Sequence, residues 1–166
     1  QMCITDSFQA VAKTPLLVTM DAEWGPSQRL SDVFAHPWNM TLGAIQDNNL
    51  VKSISRRMAE QNKALGINYN FAPSVDVNNN SKNPIIGNRS FGEDPENVYQ
   101  KAKAYINGHK EAGVFTSVKH FPGHGDTDKD SHKTLPVING SIKRLNEVEL
   151  YPFKKLIDDG LVESVM

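Results

Sequence analysis

The sequence predicts an α/β fold, an internal portion of a larger (β/α) barrel with about four parallel strands and helices between them. Two observations carry this expectation. Short apolar runs begin near residues 16, 67, 114 and 161, about every 50 residues, with amphipathic or capped segments between them. That alternation gives parallel strands joined by helical crossovers. Polar or charged residues follow three of these runs directly: Asp21 and Glu23, then Asp76, then Lys119 and His120. Parallel α/β folds build their active sites from such groups at the carboxyl ends of strands.

In order, Thr5 to Lys13 reads as an amphipathic helix with Phe8, Val11 and Ala12 on one side, broken by Thr14-Pro15. Leu16 to Val18 is a short apolar strand ending at Thr19-Met20, with a loop from Asp21 to Gly25. The segment up to His36-Pro37 has no clear period. Asn49 to Leu65 reads as a helix in which Leu50, Ile54, Met58, Gln61 and Leu65 recur at helical spacing, with Gly66 just past its end. Ile67 to Pro73 is the next strand and leads to Asp76 and an Asn-rich loop. Asp94-Pro95 is a helix start, an N-cap carboxylate followed by proline at the first helical position. That helix uses Val98, Ala102, Tyr105 and Ile106, ends at Gly113, and gives way to a strand from Val114 to Val118. Leu145 to Asp159 reads as helical, restarted at Pro152 and stopped by Gly160, and Leu161 to Met166 begins another strand. Each strand is apolar enough to be covered on both faces. The chain opens on a helix and closes inside a strand, so residues 1–166 are expected to be one partial barrel domain, truncated at both ends. A complete, small open-sheet domain is the alternative.

Composition narrows the function. Eighteen basic and nineteen acidic residues leave a net charge of −1, which gives no support to a nucleic-acid or anionic-membrane partner. Apolar runs of at most about six residues exclude a membrane-spanning helix. Residues 1–14 lack the basic and apolar regions of a signal peptide, although a trimmed chain looks the same. The single cysteine, Cys3, excludes an internal disulfide.

The chemistry concentrates in Lys119 to Pro136, KHFPGHGDTDKDSHKTLP, which holds His120, His124 and His132 together with Asp126, Asp128 and Asp130. His120 and His124 have the i,i+4 spacing of a zinc pair, but Pro122, Gly123 and Gly125 forbid the helix it needs. The aspartates imitate the start of a calcium loop, which Ser131 and Val137 then fail to complete. No metal and no cofactor is expected, and a discontinuous His/Asp site is the remaining metal route. Asp130 and His132 project to one side of an extended segment. A carboxylate bonded to one ring nitrogen fixes the tautomer for general acid/base work; a solvated surface pair is the alternative.

The run KHFPGHGDT-x-x-DSH resembles the signature of family 3 glycoside hydrolases, in the branch of bacterial β-N-acetylhexosaminidases. PLLVTMDAEWG-x-x-x-RL at 15–30, NFAPSVDV at 70–77 and IIGNRSFGEDP at 85–95 match in the expected order. The resemblance implies a (β/α)8-like catalytic barrel of about twice this length. It implies retaining hydrolysis of terminal non-reducing β-N-acetylglucosamine, with peptidoglycan fragments as the natural substrate. By the same resemblance His132 is the catalytic acid/base and Asp130 its partner, while Asp21, Arg29, Arg89, Lys119 and His120 bind the terminal sugar. Without it, Asp21 reads equally as a helix cap, Arg29 as a surface cation, and Arg89 as a partner of Glu93 or Asp94.

Two departures stand out. Many members read D-x-E-G-G-R where this chain has Asp21-Ala22-Glu23-Trp24-Gly25-Pro26, a change expected to alter what lies beyond the first sugar. The aspartate nucleophile of retaining members lies on a later strand, past Met166. The remainder of the barrel is therefore expected from the same polypeptide, and this stretch alone is expected to be inactive. A β-glucosidase-type or phosphorolytic enzyme, or a non-catalytic carbohydrate-binding fragment, are the alternatives.

Overall fold

In a computed structural model, which describes residues 2–127 and 140–166, the chain forms six α-helices around a parallel sheet. The helices are α1 (Met2–Val11), α2 (Asn39–Ala44), α3 (Asn48–Ala64), α4 (Pro95–Ala112), α5 (Ile142–Glu147) and α6 (Tyr151–Asp158); the strands are β1 (Thr19–Met20), β2 (Tyr69–Asn70) and β3 (Phe115–Thr116). The sheet order is β1-β2-β3, all parallel. A parallel bridge from Val118 to Val165 brings the last apolar run alongside, in the expected place.

The ladders are shorter than the apolar runs because side-chain amides replace backbone partners at both ends of β1. Val18 N–H donates to Asn68 Oδ1 at 2.7 Å, and Ala22 N–H donates to Asn70 Oδ1 at 3.0 Å. Coverage is also one-sided. Thr19, Tyr69 and Phe115 stand in register, and this row faces outward, with Phe115 exposed. The next row carries the buried Asn70 and Thr116. Leu17 is exposed too, against the expectation of strands buried on both faces.

Helix ends follow their caps. Asp94 accepts from Asn97 N–H at 2.7 Å with Pro95 at the first turn, and Gly113 closes α4 at φ +74°. The fully buried residues of α3 are Val51, Ser55, Met58, Ala59 and Asn62; of the expected stripe, Met58 is among them and Ile54 packs partly buried against the core, while Leu50 is exposed. The reason is close approach: a Cβ on Gly108 of α4 would lie 2.4 Å from Lys52 O, so small residues occupy the α3–α4 contact. The helix expected over 145–159 is two helices. Pro152 sits in the first turn of α6, and Glu149 is buried in the break between them. Leu42, Val51, Met58, Phe91, Val98, Tyr105, Ile106, Phe153 and Leu156 form the core. Among the described residues no helix is long and apolar enough to cross a membrane.

Candidate active site

The carboxyl ends of the strands bring the ionisable groups together. Lys119, set by a parallel bridge to Ser74, is 3% exposed and places Nζ 2.7 Å from Asp21 Oδ1 and 2.8 Å from Glu23 Oε1. Arg89 grips Glu23 with two donors, Nε to Oε2 at 2.9 Å and Nη2 to Oε1 at 2.7 Å. The planar fork of the guanidinium matches a carboxylate in this way. Arg89 is steadied through its own carbonyl, which accepts from the buried Asn39 Nδ2 at 2.8 Å. Arg29 reaches Asp21 from the solvent side, Nη2 to Oδ2 at 3.2 Å and Nε to the backbone O at 3.1 Å.

His120 lies between Arg89 and Asp76. Arg89 Nη2 contacts His120 Nε2 at 2.9 Å, and a guanidinium only donates. Nε2 therefore accepts, and the ring proton sits on Nδ1, which donates to Asp76 Oδ2 at 2.6 Å. Asp76 is fully buried. Its carboxylate also accepts from Ser74 Oγ at 2.8 Å and from His124 N–H at 2.6 Å, and so anchors the turn that follows β3.

Burial pushes the Asp21, Glu23 and Asp76 carboxyls upward, but their donors outweigh it. Lys119 and Arg29 hold Asp21 below the usual range, Arg89 and Lys119 hold Glu23, and His120, His124 N–H and Ser74 hold Asp76. The guanidinium of Arg89 is held above its ordinary value by Glu23 despite burial. Three carboxylates thus face three cations. Asp21, Arg29, Arg89, Lys119 and His120 line one open cleft of about 480 Å³, with Trp24 and Gln28 on its wall. Arg89 pairs with Glu23, 66 residues away, and not with its neighbours Glu93 or Asp94.

The two expected catalytic residues, His132 and Asp130, lie outside the described residues. Glu23 and Asp76 are site residues beyond the expected set. Their signal was present, since both directly follow apolar runs, but their burial as anchors depends on partners distant in sequence. Among the described residues no three His, Cys, Asp or Glu side chains are grouped to hold a metal ion.

Comparison with known proteins fits this geometry. Residues 1–166 match the glycosyl hydrolase family 3 N-terminal domain. The chain is 38% identical over 154 residues to β-hexosaminidase A of Pseudoalteromonas piscicida, covering 90% of this chain and 26% of that protein. It superposes with a TM-score of 0.93 and 42% identity on a family 3 β-N-acetylglucosaminidase from Paenibacillus sp. FPU-7, over 99% of this chain and 32% of that one. A β-glucoside phosphorylase, BglX, superposes with a TM-score of 0.93 at 32% identity, over 99% of this chain and 30% of that one. The chain spans about half the length of the shorter bacterial β-hexosaminidases it matches. Its open parallel sheet and flanking helices are a partial (β/α) barrel of the TIM type. The chain belongs to glycoside hydrolase family 3.

Proposed function

We propose that this chain supplies the sugar-binding and acid/base part of a retaining glycoside hydrolase that removes terminal non-reducing β-N-acetylglucosamine, with peptidoglycan-derived fragments as natural substrates. The observation that carries this reading is Lys119 held between Asp21 and Glu23 in a cleft whose cations are offset by these two carboxylates and by Asp76 buried behind them. Such a cleft suits a neutral ligand rich in hydroxyls. Asp21, the more exposed carboxylate, accepts from adjacent hydroxyls; Lys119, Arg89 and His120 complete the contacts, and Glu23 fixes both cations. His132, assisted by Asp130, protonates the departing glycosidic oxygen and afterwards takes a proton from the water that releases the sugar. The carboxylate nucleophile and the rest of the barrel come from the same polypeptide. The outward row of Thr19, Tyr69 and Phe115 supports that completion, as an inner barrel face awaiting its opposite wall.

The test compares the full polypeptide with its His132→Ala variant on 4-nitrophenyl β-N-acetylglucosaminide and the corresponding β-glucoside. The reading expects turnover of the first substrate that falls by orders of magnitude in the variant. No turnover of either by a folded wild type refutes it in favour of a binding fragment. Likeness to the β-glucoside phosphorylase supports a second reading, transfer to phosphate. A neutral histidine, unlike a carboxylate, does not repel that anion, and release of a glycosyl phosphate in phosphate buffer distinguishes this reading from hydrolysis.

A further inference from the structure

At the rim of the cleft the loop after β1 folds back and lays Trp38 on Trp24, ring centroids 4.0 Å apart and planes 13° from parallel. Trp24 directly follows Glu23, so its Cα is about 3.8 Å from the Cα of the residue whose carboxylate holds Arg89 and Lys119. Among the described residues its indole is the one large flat apolar surface on a lining otherwise dominated by charged and polar groups. Tyr105, Phe91 and Phe153 are buried in the core, and the exposed Phe121, next to His120, packs its ring edge-on against Phe153 and is not part of the cleft lining. Side-chain exposure rises outward, from 3% at Lys119 through 22% at Arg89 to 38% at Asp21, and Trp38 as a whole is 44% exposed. The charged floor is therefore deep and the indole pair shallow. A pair that only pinned the loop would gain most by burying both rings.

We propose that Trp24 and Trp38 form a second sugar subsite, holding the pyranose on the leaving-group side of the scissile bond. A pyranose has hydroxyls around its edge and apolar C–H groups on its faces. Charged donors and acceptors match the edge, and an indole face matches the C–H surface. The two chemistries stand side by side along one cleft, as a carbohydrate chain requires. With the terminal sugar over Asp21, Arg89 and Lys119, the chain leaves outward past the indoles. The assignment rests on the function proposed above.

The test measures kcat/KM of the full polypeptide, wild type, Trp38→Ala and Trp38→Phe, on N,N′-diacetylchitobiose and on methyl β-N-acetylglucosaminide, whose leaving group is too short to reach Trp38. The disaccharide-to-methyl ratio is expected to fall about tenfold in Trp38→Ala and to be largely restored in Trp38→Phe, as loss and return of one stacking contact. A ratio unchanged in Trp38→Ala, whether both substrates fall together or neither does, overturns the subsite and leaves the proposed hydrolase standing. A folded wild type that cleaves neither substrate overturns both.

Discussion

Asn70 holds the peptide of Ala22 from both ends: its Oδ1 accepts from Ala22 N–H at 3.0 Å and its Nδ2 donates to Ala22 O at 3.0 Å. β1 has ended at Met20, so a buried side-chain amide does for Ala22 what a neighbouring strand would do. Ala22 separates Asp21 from Glu23, and the amide thereby sets the spacing of both carboxylates. Behind Asn70, its Nδ2 also donates to His109 Nε2 at 3.0 Å. The His109 Nδ1 proton goes to Ser55 Oγ at 2.7 Å, and Ser55 donates to Tyr105 O at 2.6 Å. Every member of this chain is paired, as a polar network must be to rigidify a core.

Asn70→Ala in the full polypeptide is expected, on the proposed function, to lower kcat/KM about 100-fold, because a displacement near 1 Å at a binding group costs that much. Kinetics on 4-nitrophenyl β-N-acetylglucosaminide check this. Undiminished kcat/KM in the folded variant would show that Ala22 is held without the amide.

Asp76→Asn replaces a charged acceptor of N–H and O–H donors from His120, His124 and Ser74 with a group that must turn an NH2 toward one of them. The expected loss is about 3 kcal/mol of barrel stability, the upper scale for a buried charged acceptor losing its hydrogen bonds. The Asp76 carboxyl is held below its ordinary value by His120, His124 N–H and Ser74 against the upward push of burial. Its contribution is complete above the unfolded pKa, about 3.9, and disappears as pH falls through the folded value. Urea unfolding from pH 7 to pH 3 is expected to show the gap between wild type and variant closing at the acid end.

His109 gives a different pH window. Burial pushes its imidazole down to about 3, so it stays neutral in the folded protein while the unfolded chain takes up a proton below about 6.5. The unfolded state then binds more protons, and stability falls as the pH falls, by up to about 1.4 kcal/mol per pH unit. Between pH 6 and 4.5, above the carboxylate window, wild-type urea midpoints are expected to fall more steeply than those of His109→Gln. Parallel slopes would contradict a neutral buried His109.

Gly125 lies where a Cβ would come within 1.8 Å of Val77 O, backbone against backbone. Gly125→Ala is expected to displace the turn that carries His124 from Asp76, with a cost of about 1–3 kcal/mol. Far-UV circular dichroism should stay near wild type while kcat/KM drops at least tenfold, since the turn is held through Asp76, Asn80 and Asn83, which lie outside the helices.

The helix ends were legible because their signals are local. Asp94-Pro95, Gly66 and Gly113 act through the backbone next to them, and each stands where the sequence places it. The buried face of α3 was not legible, because Ser55, Ala59 and Asn62 are buried by the close approach of α4 at Gly108, a fact of tertiary packing. The site divides the same way. Asp21, Arg29, Arg89, Lys119 and His120 were found through motifs, and the structure gathers them in one cleft. Which carboxylates anchor the site and which faces the cleft opening depends on burial, 0% for Glu23 and Asp76 against 38% for the Asp21 side chain. No local pattern reports that difference.

On the proposed function, the cleft around Lys119 holds a terminal β-N-acetylglucosamine. A crystal structure of the full polypeptide soaked with N-acetylglucosamine tests it most directly. The sugar ring is expected in this cleft, with Asp21, Arg89, Lys119 and His120 within hydrogen-bond distance of its hydroxyls. A sugar bound elsewhere, or an empty cleft in a crystal of the active enzyme at saturating sugar, would contradict it.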